Sequence, residues 1–142
     1  MNSNTINAFL IISKLKSLFS YLLSLFFNLI MMDIESFREY CLGLPGTTEG
    51  MKWEHLCFMI EEKIFVLVDL DTHGFCMKCT PEEFEELAAR DGIKQAPHFA
   101  RKQWVFVDGL DVFGVQELKQ RIERSRELVL SKLPKKIQAK YN

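Results

Sequence analysis

The sequence is poor in cysteine and lacks the cysteine spacing of a structural zinc site. Its 142 residues include four cysteines, and the chain does not resemble a small disulfide-stabilised scaffold. Cys76 and Cys79 form a CxxC pair, but no second ligand pair accompanies it at zinc spacing. Residues three apart on a strand point to opposite faces, so these two thiols are not placed to share one ion. We therefore expect a reduced, cytoplasmic protein with no metal site.

Motifs for catalysis are absent as well. The sequence has no phosphate-binding glycine loop, no nucleophile elbow, and no helix-turn-helix or zinc-finger signature. The side chains available for nucleophilic or acid–base chemistry are isolated from one another: His55, His73, His98, Cys57 and Cys79. A catalytic site needs several such groups at fixed mutual positions. We predict a non-enzymatic protein with no catalytic residues and no cofactor.

Acidic residues are missing from the first 32 positions, which contain only Lys14 and Lys16 as charges. Residues 17–32 are 16 uncharged residues, somewhat fewer than the roughly 20 that a spanning helix needs. Lysines before an apolar stretch are typical of a signal peptide, but no small-x-small cleavage site follows. Since Met32 directly precedes a helix-start signal at Asp33, three interpretations stay open: upstream sequence from an early start-codon choice, a membrane anchor, or a signal peptide. We treat residues 1–31 as a hydrophobic extension and residues 32–142 as the domain.

The pattern after Met32 predicts an α+β domain. Asp33 caps a helix that ends near Gly43, and Thr80-Pro81-Glu82-Glu83 is a capping box that begins a second helix. A long third helix is predicted from about Val115 to Leu133, and residues 93–98 are predicted to form a loop. Short strands are predicted at 56–60, 64–69, 75–78 and 103–107. Helices around hairpin-linked strands give one antiparallel sheet packed against an N-terminal, a C-terminal and one internal helix.

Positive charge is scarce in the middle of the chain and concentrated at its end. Residues 33–114 hold 8 basic and 16 acidic residues, whereas residues 115–142 hold 8 basic and 3 acidic. A basic C-terminal segment favours an anionic partner, although a solvated helix face gives the same pattern. Residues 97–107, PHFARKQWVFV, place a histidine, an Arg-Lys pair and a tryptophan ahead of the apolar run Val105-Phe106-Val107. Phosphate, nucleotide and DNA sites all use such groups.

The order of these elements, with several short motifs, resembles the MmcQ/YjbR family of small bacterial proteins. The motifs are Gly46-Thr47-Thr48-Glu49-Gly50, Lys63-Ile64-Phe65, Lys78-Cys79-Thr80-Pro81-Glu82, His98 with Arg101-Lys102 and Trp104, and Ser125 with Leu133-Pro134-Lys135-Lys136. The resemblance covers residues 32–136. It implies a fold similar to the CyaY (frataxin-like) architecture, often described as a double-wing, DNA-binding-like domain. Three residues depart from the family pattern, where lysine, histidine and tyrosine are usual: Met59, Gln103 and Arg126.

The resemblance implies a DNA-binding protein. The residues predicted to contact DNA are the phosphate-binding cations Arg101, Lys102, Lys132, Lys135 and Lys136, and Trp104 and His98 as groups that stack or wedge. The net charge of −8 over residues 33–114 argues against this function.

The alternative is an adaptor domain that binds an anionic small molecule or a partner protein. Its predicted pocket is formed by Lys78, Trp104 and Ser125, beside a concave sheet lined by Trp53 and Phe58. Core packing is the default expectation for both tryptophans. We expect a monomer that meets a membrane only if residues 1–31 are genuine.

Overall fold

The computed structural model describes residues 2–142, without the side chains of residues 27–30. Met1 and those four side chains of the predicted apolar segment therefore lie outside the described residues. Contacts divide the chain into two compact units, Met1–Met31 and Met32–Asn142. The first unit contains one helix, α1 (Ser3–Ile30). By length and composition alone, Ser3–Phe26 could cross a membrane, a criterion that a signal sequence also meets.

The second unit is built on one antiparallel sheet. Its elements, in chain order, are α2 (Ile34–Gly43), β1 (Thr47–Lys52), β2 (His55–Ile60), β3 (Lys63–Val68), β4 (Phe75–Lys78), α3 (Pro81–Ala88), β5 (Ile93–Gln95), β6 (Trp104–Val107), α4 (Val115–Ser131) and α5 (Lys135–Gln138). The six strands are ordered β1-β2-β3-β4-β6-β5, and every neighbouring pair is antiparallel. The predicted α+β class, with one antiparallel sheet packed against helices, is confirmed.

The sequence prediction missed both edge strands, β1 and β5, and the short helix α5. β1 pairs with β2 over its full length through a two-residue turn, Trp53-Glu54. Both turn residues have positive φ angles, 50° and 65°, a conformation that usually requires Asn or Gly. The turn therefore carries no sequence signal. β5 is three residues long and was predicted to be part of a loop, because so short an edge strand has no periodicity to detect.

The helices cover one face of the sheet and enclose the main core. Helix α2 contacts β1, helix α4 lies against β2, β3 and β4, and helix α3 contacts β5 and β6. Phe37 of α2 is fully buried, with its ring centroid 6.2 Å from that of Phe58 and 5.5 Å from that of Phe75. On α4, the buried positions Leu118, Ile122, Ser125 and Val129 recur at helical spacing, as the sequence pattern predicts.

The capping box of α3 gives a direct test of how local sequence fixes this fold. The Thr80 hydroxyl accepts the Glu83 N–H at 3.2 Å, and the Glu83 carboxylate accepts the Thr80 N–H at 3.4 Å. We expect Thr80→Ala to lower the free energy of unfolding by about 1 kcal/mol, because the Glu83 N–H in the first turn of the helix loses its partner. Urea denaturation followed by circular dichroism measures this change. Thr80→Ser keeps the hydroxyl and is the control; an equal loss in both variants would contradict the capping role.

Candidate functional site: a lysine groove beside Trp104

The second face of the sheet carries the candidate site. Side chains alternate along β2, so Phe58 and Ile60 enter the main core, whereas Cys57 and Met59 join a separate cluster with Leu67, Cys76 and Trp104. The segment Ala96–Gln103, between β5 and β6, supplies Ala96 and Phe99 to this second cluster. This face is therefore covered by a loop where the first face is covered by helices.

The loop is held against the sheet by stacking and by one glutamine. The Phe99 and Trp104 rings stack, with centroids 4.4 Å apart and an interplanar angle of 29°. The Gln95 amide nitrogen donates to the Ala96 carbonyl at 3.0 Å, and its oxygen accepts the Lys102 N–H at 2.9 Å. These contacts fix the backbone between His98 and Lys102, both of which have positive φ angles. Trp104 is thereby packed between the loop and the sheet, with 8% of its surface exposed.

A groove of about 420 Å³ lies beside Trp104 and is rich in lysine. Its walls combine four lysines and one glutamate with apolar side chains: Lys52, Lys63, Lys78, Lys132, Glu62, Ile64, Trp104, Val129 and Leu133. We call this cavity the lysine groove. Among the residues that the structure describes, no salt bridge joins any of the four lysines to a carboxylate. The groove therefore has a net positive charge against an apolar floor.

Lys78 is the lysine with the most constrained surroundings. It pairs with Trp104 across β4 and β6, and its Nζ lies 6.0 Å from the Trp104 ring centroid. Burial, and then repulsion by Lys132, lowers the pKa of Lys78. Both effects disfavour the ammonium form of Lys78. An anion bound in the groove would favour that form and so raise the pKa.

Ser125 lies behind the groove and not in its wall. The side chain is fully buried, its hydroxyl accepts the Lys78 N–H at 2.7 Å, and it donates to the Phe65 carbonyl at 2.6 Å. The predicted pocket of Lys78, Trp104 and Ser125 therefore needs one correction: Ser125 fixes the backbone of Lys78 and has no surface to offer a ligand.

The residues predicted to bind DNA are distributed over several places. Lys132 and Trp104 line the lysine groove, whereas His98 lines a different cavity on the same face. Lys102 forms a salt bridge with Glu85 of α3 at 3.0 Å. The other three predicted cations are exposed and do not line the groove: Arg101, Lys135 and Lys136.

The two tryptophans have different environments, which corrects the expectation of core packing for both. Trp104 is 8% exposed and belongs to the second cluster, as expected, but Trp53 is 73% exposed at the β1–β2 turn. Phe58 was predicted to line the concave face with them, yet it points into the main core on the opposite face. Trp53 is exposed because it lies in the two-residue turn between β1 and β2 and not within a strand.

Sequence reasoning missed Lys52 and Lys63 as groove residues. Lys52 ends β1, an edge strand that was not predicted, and Lys63 begins β3 after a turn formed by two glutamates. Alternation along the strand gave no signal, since it places Lys63 and Ile64 on opposite faces whereas both line the groove.

The cysteines are buried, and the described acidic residues are not grouped with other metal-ligating side chains. Burial raises the pKa of the Cys76 and Cys79 thiols to about 11 and also raises the pKa of Cys57, so these groups are poor nucleophiles at neutral pH. Within the described part of the chain, no three His, Cys, Asp or Glu side chains are grouped as a metal site would require.

Comparisons with known proteins identify the family. The YjbR family model matches residues 42–128, so this chain belongs to the YjbR family, as the motif pattern indicates. A Deinococcus radiodurans protein with a DUF419 domain has a similar structure, with 26% identity and a TM-score of 0.70 over 78% of this chain and 88% of that one. A Pseudomonas syringae protein shares the fold at 22% identity and a TM-score of 0.57, over 68% of this chain and 98% of its own. No curated protein matches the sequence.

Proposed function

We propose that this YjbR-family domain is a non-enzymatic binding module that holds a small organic anion in the lysine groove. The carrying observation is the convergence of four lysines, none in a salt bridge with a described carboxylate, on an apolar floor that includes Trp104. Ammonium groups bind phosphate or carboxylate oxygens with charge-assisted hydrogen bonds. The apolar floor suits a ligand with a hydrocarbon or aromatic part beside its charge.

Three cations outside the groove differ from its lysines because each is paired with a carboxylate. Arg121 pairs with Glu117 at 3.3 Å, Arg124 with Glu83 at 2.8 Å, and Lys102 with Glu85 at 3.0 Å. The carboxylate of such a pair repels an anionic ligand that approaches the cation. The lysines of the groove have an anion-sized space between them. An anion is therefore attracted more strongly to the groove than to the paired cations.

Phenyl phosphate is a suitable probe, since it joins one phosphate to one apolar ring. We expect it to bind the full chain, and we expect Lys78→Met to weaken this binding about tenfold or more, because a hydrogen bond to a charged group is worth about 1.5–3 kcal/mol. Isothermal titration calorimetry measures both affinities.

Lys119→Met is the matched control, because Lys119 lies on α4 with its Nζ 5.2 Å from the Tyr40 ring centroid and does not line the groove. Phenol tests the role of the charge and should bind much more weakly than phenyl phosphate. Equal loss of affinity in the Lys78 and Lys119 variants would reject the groove as the site.

DNA is the second candidate ligand, favoured by the three cations at the end of the chain. Lys132 is exposed and lines the groove, and the exposed Lys135 and Lys136 follow it in sequence after Pro134. These residues offer phosphate contacts to an extended anion. The buried, stacked state of Trp104 argues against its insertion between bases, because the ring would first have to leave Phe99.

Fluorescence anisotropy with a labelled DNA duplex separates the two ligands. If DNA is the ligand, binding is strong at about 50 mM salt, falls steeply as salt rises, and weakens in the double variant Lys135→Ala/Lys136→Ala. Phenyl phosphate binding without duplex binding at low salt would leave the small anion as the ligand.

A further inference from the structure

A second cavity on the same face of the sheet has a different character from the lysine groove. It has a volume of about 670 Å³, within the range of small-molecule sites. Its lining includes three aromatic rings, an aliphatic floor and a polar pair: Trp53, Phe99, Phe106, Leu67, His55 and Asp69. Among the described residues, no lysine or arginine lines it. We call it the aromatic cleft.

The polar pair presents two hydrogen-bond acceptors to the cleft. The Nδ1 atom of His55 lies 2.6 Å from the Trp53 carbonyl oxygen, which can only accept, so Nδ1 carries a proton. In the neutral form of the imidazole the lone pair is then on Nε2, which lies 3.8 Å from Asp69 Oδ2. This separation is too long for a direct hydrogen bond. With the imidazole neutral, each atom therefore retains the capacity to accept a hydrogen bond from a ligand.

The Asp69 carboxylate is fixed in place and charged. Its Oδ1 accepts the N–H groups of Asp71 and Thr72 at 2.8 and 3.0 Å. These hydrogen bonds lower the pKa of Asp69, and the bond from the Thr72 N–H has the larger effect. The second oxygen, Oδ2, is the one that faces His55, so the negative charge lies beside the aromatic walls.

Trp53 lines the cleft beside His55 and Asp69 and is exposed to solvent. Its ring is 73% exposed although its backbone has a φ of 50°, a conformation that is unfavourable for a bulky residue. The ring gains little burial there, so the fold leaves an aromatic surface unoccupied next to a carboxylate. Phe106 already holds a cation on one side, since Lys94 Nζ lies 5.2 Å from its centroid.

We propose that the aromatic cleft binds a small flat cation, such as an aromatic amidinium. Two adjacent N–H donors of the ligand reach His55 Nε2 and Asp69 Oδ2, and its ring lies against Trp53 and Phe99. The amidinium group matches this site because it offers paired donors and a delocalised positive charge that aromatic faces attract. This site is separate from the lysine groove and takes a ligand of opposite charge.

Benzamidine, with benzoate as the flat anion of the same size, tests this proposal on the full chain by NMR titration. We expect benzamidine to bind about tenfold more tightly than benzoate, with shifts at His55 and Trp53. Asp69→Asn should remove about tenfold of the affinity, while its amide oxygen can still accept the turn N–H groups. Trp53→Ala, at an exposed position, should weaken binding without loss of the fold.

Asp91→Asn is the control, since Asp91 is an exposed acid that does not line the cleft. Lys78→Met should leave benzamidine binding unchanged, which keeps this result independent of the lysine groove. Equal affinity for benzoate, unchanged binding in Asp69→Asn, or no saturable binding of benzamidine would each overturn the proposal.

Discussion

Phe37→Ala is expected to lower the free energy of unfolding by about 3–5 kcal/mol, the usual cost of removing a fully buried phenylalanine. Phe37 joins α2 to the sheet, with its ring in contact range of Phe58 on β2 and Phe75 on β4. Its removal leaves a cavity between three elements that cannot collapse without moving the helix. A domain of this size is stable by only about 5–15 kcal/mol, so this loss is a large share.

Urea unfolding followed by circular dichroism measures the effect of Phe37→Ala. Trp53→Ala is the matched aromatic control, because Trp53 is 73% exposed and surface substitutions change stability by about 0.5 kcal/mol or less. A loss below about 1 kcal/mol for Phe37→Ala would contradict the packing of α2 on the sheet.

Ser125→Ala is expected to lower the free energy of unfolding by about 2–6 kcal/mol, since it leaves two backbone groups without partners at about 1–3 kcal/mol each. The register of β2 and β3 shifts at Phe58/Met59, which leaves Phe65 without a partner on β2, and the Ser125 hydroxyl binds its carbonyl. The same hydroxyl accepts the N–H of Lys78. We also expect Ser125→Ala to weaken phenyl phosphate binding, because Lys78 loses its backbone anchor.

Ser131→Ala is the control for this substitution on the same helix. Ser131 is exposed, and its hydroxyl donates only to the Leu128 carbonyl three residues earlier, at 2.7 Å. Its replacement should change stability by about 0.5 kcal/mol or less. If both serine variants lose equal stability, the bridging role of Ser125 is wrong.

Local signals made much of the fold predictable. Asp33 accepts the Ser36 N–H at 2.8 Å at the start of α2, and the capping box of α3 is formed as its sequence indicates. Strands β2, β3 and β4 were found because their apolar runs are bounded by turn residues. The edge strands were missed because β1 and β5 depend on pairing with an inner strand and carry little apolar pattern of their own.

The candidate site was only partly predictable, because it depends on contacts between distant segments. Lys78 and Trp104 were both singled out, but their pairing comes from β4 lying next to β6, which are not consecutive strands. Lys132 joins them from the end of α4 through tertiary packing alone. The role of Ser125 was misjudged because a small polar residue on a buried helix face has the same sequence pattern whether it binds a ligand or a strand.

The most direct test of the lysine groove is the titration of Lys78 itself, followed by NMR of its side chain in the full chain with and without phenyl phosphate. In the free protein, burial and Lys132 hold the pKa of Lys78 below its ordinary value. A bound phosphate favours the charged ammonium form, so the account predicts that saturating phenyl phosphate raises this pKa while the signal of Lys119 does not change. An unchanged Lys78 titration at saturating phenyl phosphate would contradict the account.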